Sequence, residues 1–195
     1  WNEALSKLRT IRTDSSAGNQ LRTSALFYEA RSLEKLGRLD EALPAYETFL
    51  SRSLEESTLS NEARYSVVRL AVELYKSGRR AFIGRATDAL KSPDKDLRLM
   101  AAIQLSYVAD NRLKRQAVPV LQETLRQAED AEARHQATLA LLRIDPTLLE
   151  NGSRQPDSRQ GRSLHVLFRS GGENFRLSLP VSLARLVVSS PVSYT

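Results

Sequence analysis

The residue types that most often perform catalysis or bind metals are few in this chain and widely spaced. Cysteine is absent from the 195 residues, which excludes disulfides, thiolate nucleophiles and cysteine-ligated metals. The two histidines, His135 and His165, are thirty positions apart, and no carboxylate spacing near them is typical of a metal site. The carboxylate pairs Glu55-Glu56 and Glu129-Asp130 fall at predicted helix ends, where acidic side chains interact favourably with a helix N-terminus.

Glycines and serines show no catalytic pattern either. The glycines are scattered, and the one adjacent pair, Gly171-Gly172, joins two strand-like runs rather than forming a phosphate-binding loop. No serine occupies a nucleophile turn with a histidine and an acid at suitable positions. We therefore expect no catalytic residue, no metal and no cofactor. An enzyme whose active site needs residues outside this sequence is an alternative.

The elements that would position any binding residues are helices, because helical periodicity dominates the first 145 residues. Between Thr58 and Lys76, apolar residues recur at the spacing that keeps them on one helix face. Gly37 and Gly78 can adopt the left-handed conformation that ends a helix, whereas Asp94 and Asp130 mark helix starts. The pattern predicts eight helices, at about 1–12, 22–36, 39–53, 58–77, 79–91, 96–109, 112–128 and 131–144.

Short turns force neighbouring helices to run antiparallel, and a helix with one apolar stripe must bury that stripe against another helix. Segments 94–105 and 130–141 align with a period of 36 residues, which matches Asp94 to Asp130 and Arg98 to Arg134. The predicted fold class is therefore all-α, with an α-solenoid of stacked antiparallel helical hairpins over residues 1–149.

Residues 26–50 resemble a tetratricopeptide repeat, since alanines, a turn glycine and aromatic residues fall at the spacing of that motif. The matching residues are Leu26, Ala30, Leu33, Gly37, Leu39, Ala42, Tyr46 and Phe49. "WNEAL" at the start resembles the second helix of a preceding repeat, so we expect the chain to begin inside a repeat. Residues 94–144 are similar to HEAT repeats, in which "AVPVLQETL" at 117–125 is a typical second helix. Both families are scaffolds with diverse partners, so the resemblance implies an architecture and leaves the partner open.

The sequence changes character after residue 149. Residues 150–162 lack aliphatic side chains and predict a flexible linker. Alternation at about 164–169 and 174–179 predicts a β-hairpin, and the run after Pro180 predicts a short helix. A module of this size, 163–195, is too small to be reliably stable alone. We therefore expect it to dock on the solenoid or to mediate self-association.

One set of side chains could bind a partner in a groove. By resemblance to the tetratricopeptide family, the first helix of each hairpin lines a concave face, where rings and cations would hold a protein or peptide segment, an acidic one in particular. The predicted groove residues are Phe27, Arg31, Lys35, Tyr65, Val68, Val72, Tyr75 and Lys76. The alternative for Phe27 and Val72 is packing against neighbouring helices.

A second set of side chains could form a basic ridge, because cations recur after the turn between the two helices of successive hairpins. The predicted ridge residues are Arg38, Arg79, Arg80, Arg112, Lys114 and Arg115. Such a ridge would suit phosphate backbones, acidic lipid head groups or an acidic protein. A merely solvated ridge is the alternative, since 23 Lys and Arg oppose 21 Asp and Glu in residues 1–150, whereas six Arg oppose two acids in the tail.

These observations predict a non-catalytic protein-interaction scaffold. The C-terminal run "LPVSLARL" is similar to segments of small hairpin-helix modules in bacterial regulatory or envelope-associated proteins, and this resemblance implies a bacterial regulatory or envelope-assembly setting. The alternative function is a nucleic-acid-associated solenoid that uses the basic ridge and the basic tail. No run approaches the roughly 18 to 20 apolar residues that a membrane helix needs, so we expect no transmembrane segment. The compartment stays open, with a cytoplasmic location preferred over a periplasmic or membrane-tethered parent protein.

Overall fold

A computed structural model of the chain describes residues 1–53, 57–152, 163–170 and 173–180. Its contacts divide the chain into two units, Trp1–Ser153 and Arg154–Thr195. The first unit is helical, and each helix packs against its neighbours in the chain. Its helices are α1 (Asn2–Thr13), α2 (Asn19–Lys35), α3 (Leu39–Arg52), α4 (Thr58–Lys76), α5 (Gly84–Ala89), α6 (Lys95–Leu105), α7 (Asn111–Gln127), α8 (Ala131–Ile144) and α9 (Thr147–Gly152), with a 3-10 turn at Arg80–Ile83.

The turns that follow α2 and α4 share one geometry. Gly37 and Gly78 have φ angles of 73° and 95°, in the left-handed region. The N–H of the next residue donates to a carbonyl five positions earlier, at 3.0 Å after α2 and 2.9 Å after α4. This arrangement closes the helix end and satisfies carbonyls that would otherwise lack a partner. The prediction that these two glycines end helices is confirmed.

The two segments that align in sequence also fold alike. Asp94 and Asp130 cap α6 and α8, and each accepts hydrogen bonds from the N–H groups two and three residues further on. The Nη1 of Arg98 donates to the carbonyls of the two residues that precede Asp94, at 2.7 and 3.2 Å. The Nη1 of Arg134 makes the same two bonds in front of Asp130, at 2.6 and 3.0 Å. The 36-residue repeat is therefore also a repeat of side-chain contacts.

Three predicted boundaries are corrected by the structure. The helix expected at 79–91 is a 3-10 turn followed by the short α5. Gly84, a weak helix former, stands where the turn gives way to that helix. The helix expected at 96–109 ends at Leu105, where the Ser106 hydroxyl donates to the Ile103 carbonyl at 2.6 Å. Helix α9 occupies 147–152 and so overlaps the start of the predicted linker.

Two hydrophobic clusters hold the helical unit together, and α4 belongs to both. Ala63, Leu70 and Leu74 of α4 pack with residues of α1, α2 and α3. Val68 and Val72 of α4 pack instead with residues of α5 to α9. This helix therefore joins the three helices that precede it to the five that follow it in the described part of the first unit.

A buried carboxylate attaches α1 to α2. The side chain of Glu29 is only 8% exposed, and its two oxygens lie 3.0 and 3.4 Å from the Nε atoms of Arg9 and Arg12. A buried charge needs such partners, because its transfer out of water is otherwise strongly unfavourable. The position of α1 on α2 is therefore set by charge pairing as well as by Leu5, its buried apolar residue.

In the second unit, strands β1 (Ser163–Ser170) and β2 (Glu173–Pro180) pair antiparallel, with Leu164 opposite Leu179 and Phe168 opposite Phe175. Each strand extends one residue beyond both ends of the run expected from the sequence. Several predictions lie outside the described residues: the linker from 153 to 162, the Gly171-Gly172 turn, the helix after Pro180 and the Glu55-Glu56 pair.

Candidate partner-binding face

The first helices of the successive hairpins are joined side by side. Helix α4 packs on α6, and α6 packs on α8. Helices α2 and α4 are linked by ion pairs of 2.9 Å, from Arg31 to Glu62 and from Arg69 to Glu34. We call the surface formed by α2, α4, α6 and α8 the first-helix face. Its exposed and partly exposed side chains include Tyr28, Arg31, Lys35, Glu62, Arg69, Glu73, Lys76, Ile103, Leu139 and Arg143, together with Tyr107, which follows the end of α6 and contacts Arg143.

Three of the predicted groove residues belong to the core. Phe27 is 0% exposed and makes edge-on contacts with the rings of Tyr46 and Phe49, at centroid distances of 5.7 and 5.4 Å. Val68 and Val72 are buried in the cluster that α4 shares with the later helices. The structure corrects the prediction for these three residues, because enclosed side chains present no surface to a partner.

Tyr65 and Tyr75 are partly buried and connect α4 to the following hairpin. Both rings pack against the hydrophobic cluster that α4 forms with α5 to α9. The Tyr75 hydroxyl donates to Asp110 Oδ2 at 3.3 Å. Burial raises the pKa of the Tyr65 hydroxyl, and the charges of Asp94 and Asp96 raise it further. These tyrosines expose only part of their rings, and much of each ring serves packing.

Arg31, Lys35 and Lys76 are exposed on the first-helix face, as predicted residues of a groove should be. Arg31 is already paired with Glu62. Lys35 and Lys76 stand in the last turns of α2 and α4, and no carboxylate among the described residues lies within ion-pair distance of either. The two lysines are therefore free to meet acidic groups of another molecule.

A polar network beneath this face fixes the relative positions of α2, α3 and α4. The hydroxyl of the buried Tyr46 donates to Glu34 Oε2 at 3.1 Å, while Glu34 Oε1 pairs with Arg69. Burial, together with the nearby Glu34 charge, raises the pKa of Tyr46 far above its ordinary value. Tyr46 therefore remains a neutral hydrogen-bond donor, and the network gives the face a rigid support.

Three side chains that the sequence analysis missed give this face its apolar character. Tyr28, Tyr107 and Leu139 are 45%, 49% and 45% exposed. The 36-residue alignment contained a signal for one of them, because it pairs Leu139 with Ile103 on equivalent first helices. At the edge of the face, a shallow apolar hollow lies next to Tyr28 and Arg31, and its lining includes Trp1, which caps α1, and Leu8 of α1.

The predicted basic ridge is partly neutralised. Arg38 makes two bonds to Glu41, and Arg79 pairs with Asp40 at 2.6 Å. These bonds lower the pKa values of Glu41 and Asp40. The other four predicted ridge residues have no carboxylate within ion-pair distance in the described part of the chain: Arg80, Arg112, Lys114 and Arg115. A continuous positive stripe is therefore interrupted at its first two positions.

The described residues contain no group of three His, Asp or Glu side chains placed to hold a metal ion. His135 is a partly buried residue of α8. No helix within the described ranges combines the length and the apolar character needed to cross a bilayer.

Comparison of the chain with protein-family models, with curated proteins and with solved structures finds no match in any of the three.

Proposed function

We propose that the chain is a non-catalytic interaction scaffold whose first-helix face binds a peptide or protein segment. The observation that carries the proposal is the distribution of exposed apolar groups. Five large apolar side chains are exposed within residues 1–53 and 57–149; of these, Tyr28, Tyr107 and Leu139 lie on this face, and Trp1 borders it. Exposed aromatic residues near cations are frequent centres of binding energy in protein interfaces.

The proposal includes an α-solenoid with tetratricopeptide-like hairpins followed by HEAT-like hairpins. Two kinds of repeated local structure support it: the left-handed glycine turns after α2 and α4, and the paired aspartate caps and arginine bonds of α6 and α8. The lateral packing of α4, α6 and α8 supports an inner position for the first helices. Stacked repeats commonly bind their partners on such a surface.

The charges of this face favour an acidic partner. Glu34, Glu62 and Glu73 already lie close to arginines of the face. Lys35, Lys76 and Arg143, at the ends of α2, α4 and α8, have no carboxylate partner in the described part of the chain. An acidic segment that crosses the ends of these helices would therefore gain charge pairs without displacing existing ones.

A selection from a library of random displayed peptides tests this function. Peptides enriched on the wild-type chain are synthesised with a fluorescent label, and their Kd values are measured by anisotropy. We expect the double variant Y28A/Y107A to bind at least about tenfold more weakly, since truncation of an exposed aromatic anchor commonly costs more than 1 kcal/mol. The matched control is R115A, a change at an exposed residue of α7 outside this face.

Two results would reject the proposal. One is a selection in which the wild-type chain enriches no peptide above an unrelated helical protein. The other is equal affinity of the enriched peptides for the wild type and for Y28A/Y107A. Circular dichroism spectra of all variants should coincide, because neither ring is buried.

A second candidate function is favoured by one side of α7. Arg112, Arg115 and Arg126 are exposed there together with Gln116 and Pro119. The one acidic residue of this helix, Glu123, lies instead 3.8 Å from Arg98. A helix side that carries cations and no carboxylate suits the phosphate backbone of a nucleic acid.

Fluorescent DNA and RNA duplexes provide the test of this second function. If it is correct, the chain binds them at about 50 mM salt, and the affinity falls steeply towards about 200 mM. The charge reversals R112E and R115E should then remove binding, while Y28A/Y107A should leave it unchanged. Absence of binding at low salt rejects the nucleic-acid function.

A further inference from the structure

Arg143 is held in one orientation before any partner arrives. Its Nη1 donates to Ser106 Oγ at 2.8 Å, and its guanidinium carbon lies 3.8 Å from the centroid of the Tyr107 ring. Ser106 is fully buried, and its own hydroxyl donates to the Ile103 carbonyl, so the anchor is fixed as well. A long side chain that is already ordered loses less conformational entropy when a ligand binds.

The charge of Arg143 lacks a counter-ion in the described part of the chain. By contrast, Arg31, Arg69 and Arg79 each pair with a carboxylate. Asp145 is close in sequence, but its Oδ1 accepts the N–H and the hydroxyl of Thr147, at 2.9 and 2.8 Å. That carboxylate is therefore engaged at the start of α9.

The guanidinium of Arg143 keeps hydrogen-bonding capacity for a ligand. It has five N–H donors, and the described contacts use one of them. The geometry of a guanidinium matches a carboxylate, which it can bind through two parallel hydrogen bonds. A lysine in the same place would supply a positive charge without the two parallel hydrogen bonds.

Apolar side chains lie beside this guanidinium. Leu139 precedes Arg143 by one helical turn on α8 and is 45% exposed, while the partly buried Ile103 of α6 stands four residues before Tyr107, which lies just beyond the end of α6. The two pairs are equivalent under the 36-residue repeat, α6 packs on α8, and the Tyr107 ring contacts Arg143, so the two pairs lie close to each other. We call Ile103, Tyr107, Leu139 and Arg143 the Arg143 cluster.

We propose that the Arg143 cluster binds a peptide side-chain carboxylate that stands next to an aliphatic or aromatic residue. The guanidinium receives the Asp or Glu, while Leu139, Ile103 and the free edge of the Tyr107 ring cover the adjacent apolar side chain. This inference rests on the proposed peptide-binding function, and it specifies the chemistry of the partner at one end of the first-helix face.

The test uses the complete 195-residue chain and a library of random displayed dodecapeptides. Selections run in parallel on the wild type, on R143Q and on the matched control R115Q, which changes an exposed arginine of α7. We expect the wild type and R115Q to enrich an acidic residue beside Leu, Ile, Phe or Tyr. We expect R143Q to lose that preference.

A double-mutant cycle then measures the contact with one enriched peptide and its Glu→Gln or Asp→Asn analogue. Each single change, in the peptide or at Arg143, should weaken binding roughly 10- to 100-fold, since hydrogen bonds to charged groups have this strength. The two changes together should weaken it little further. Tyr107→Phe keeps the ring and should bind as the wild type does, whereas Tyr107→Ala should bind more weakly.

The outcomes separate this inference from the function on which it rests. If the wild type enriches no peptide, the proposed function fails and the inference fails with it. If it enriches peptides without the acidic preference, or if acidic peptides bind R143Q equally well, the inference alone is overturned. R143K provides a second variant if R143Q does not fold. Its affinity for the acidic peptide should lie between two wild-type affinities, the one for the acidic peptide and the one for the Glu→Gln or Asp→Asn analogue.

Discussion

The two left-handed glycine turns allow a quantitative test of the hairpin architecture. At φ angles of 73° and 95°, Gly37 and Gly78 occupy a conformation that costs an alanine roughly 1–2 kcal/mol. A Cβ atom added at either position meets no heavy atom within 4 Å, so no steric clash adds to this figure. We therefore expect Gly37→Ala and Gly78→Ala each to lower the free energy of unfolding by about 1–2 kcal/mol.

Gly84 is the matched control. Its φ and ψ angles of −51° and −38° are helical, and a Cβ atom there is also free of contacts. The change Gly84→Ala should therefore leave stability unchanged or raise it by about 0.5–1 kcal/mol. The three substitutions add the same methyl group, so the difference between them isolates the backbone conformation.

Thermal unfolding followed by circular dichroism measures the effect. For a helical unit of this size, 1 kcal/mol corresponds to a change in Tm of about 2–4 °C. Gly37→Ala and Gly78→Ala should lower Tm by about 2–8 °C, and their effects should add because the turns share no partners. Equal Tm values for Gly37→Ala and Gly84→Ala would refute the assignment of the left-handed turn.

Two further predictions concern charged residues. The double variant R9A/R12A leaves the buried carboxylate of Glu29 unpaired and should lower the free energy of unfolding in urea by about 3–5 kcal/mol. The control Arg31→Ala breaks an exposed ion pair and should change that free energy by less than about 1 kcal/mol. Similar losses of stability in the two variants would contradict the role of Glu29. Hydrogen bonds from backbone N–H groups of α7, then from Tyr75, lower the pKa of Asp110 below its ordinary value of 3.8. The stabilisation from this cap is present above that value and is lost as the pH falls through the lowered pKa, so an NMR titration of the carboxyl carbon should give a midpoint below 3.8.

The features that the sequence predicts well are local. Gly37 and Gly78 are recognisable because a left-handed turn needs glycine. Asp94 and Asp130 are recognisable because an aspartate before an amphipathic run caps the free N–H groups of the first turn. In both cases, the residue and its hydrogen-bond partners lie within about one helical turn of each other, so the spacing along the chain contains most of the information.

The exposed surface was harder to predict because it depends on contacts between helices. Phe27 and Tyr28 are adjacent aromatic residues of α2, and only the packing of α3 decides that Phe27 is enclosed by Tyr46 and Phe49 while Tyr28 stays exposed. The same holds for Arg38 and Glu41, whose pairing removes one expected ridge cation. Helix periodicity identifies a stripe, but its limits shift by one residue with the angle at which the next helix packs.

The double membership of α4 has a consequence for how the helical unit responds to heat. In an array of repeats that contact only their nearest neighbours, the terminal repeats can unfold while the central repeats stay folded. Here, loss of either hydrophobic cluster removes packing contacts from one side of α4, which has nineteen residues and contributes to both clusters. We therefore expect destabilisation of one half to destabilise the other, and we expect the two halves to unfold in a single thermal transition.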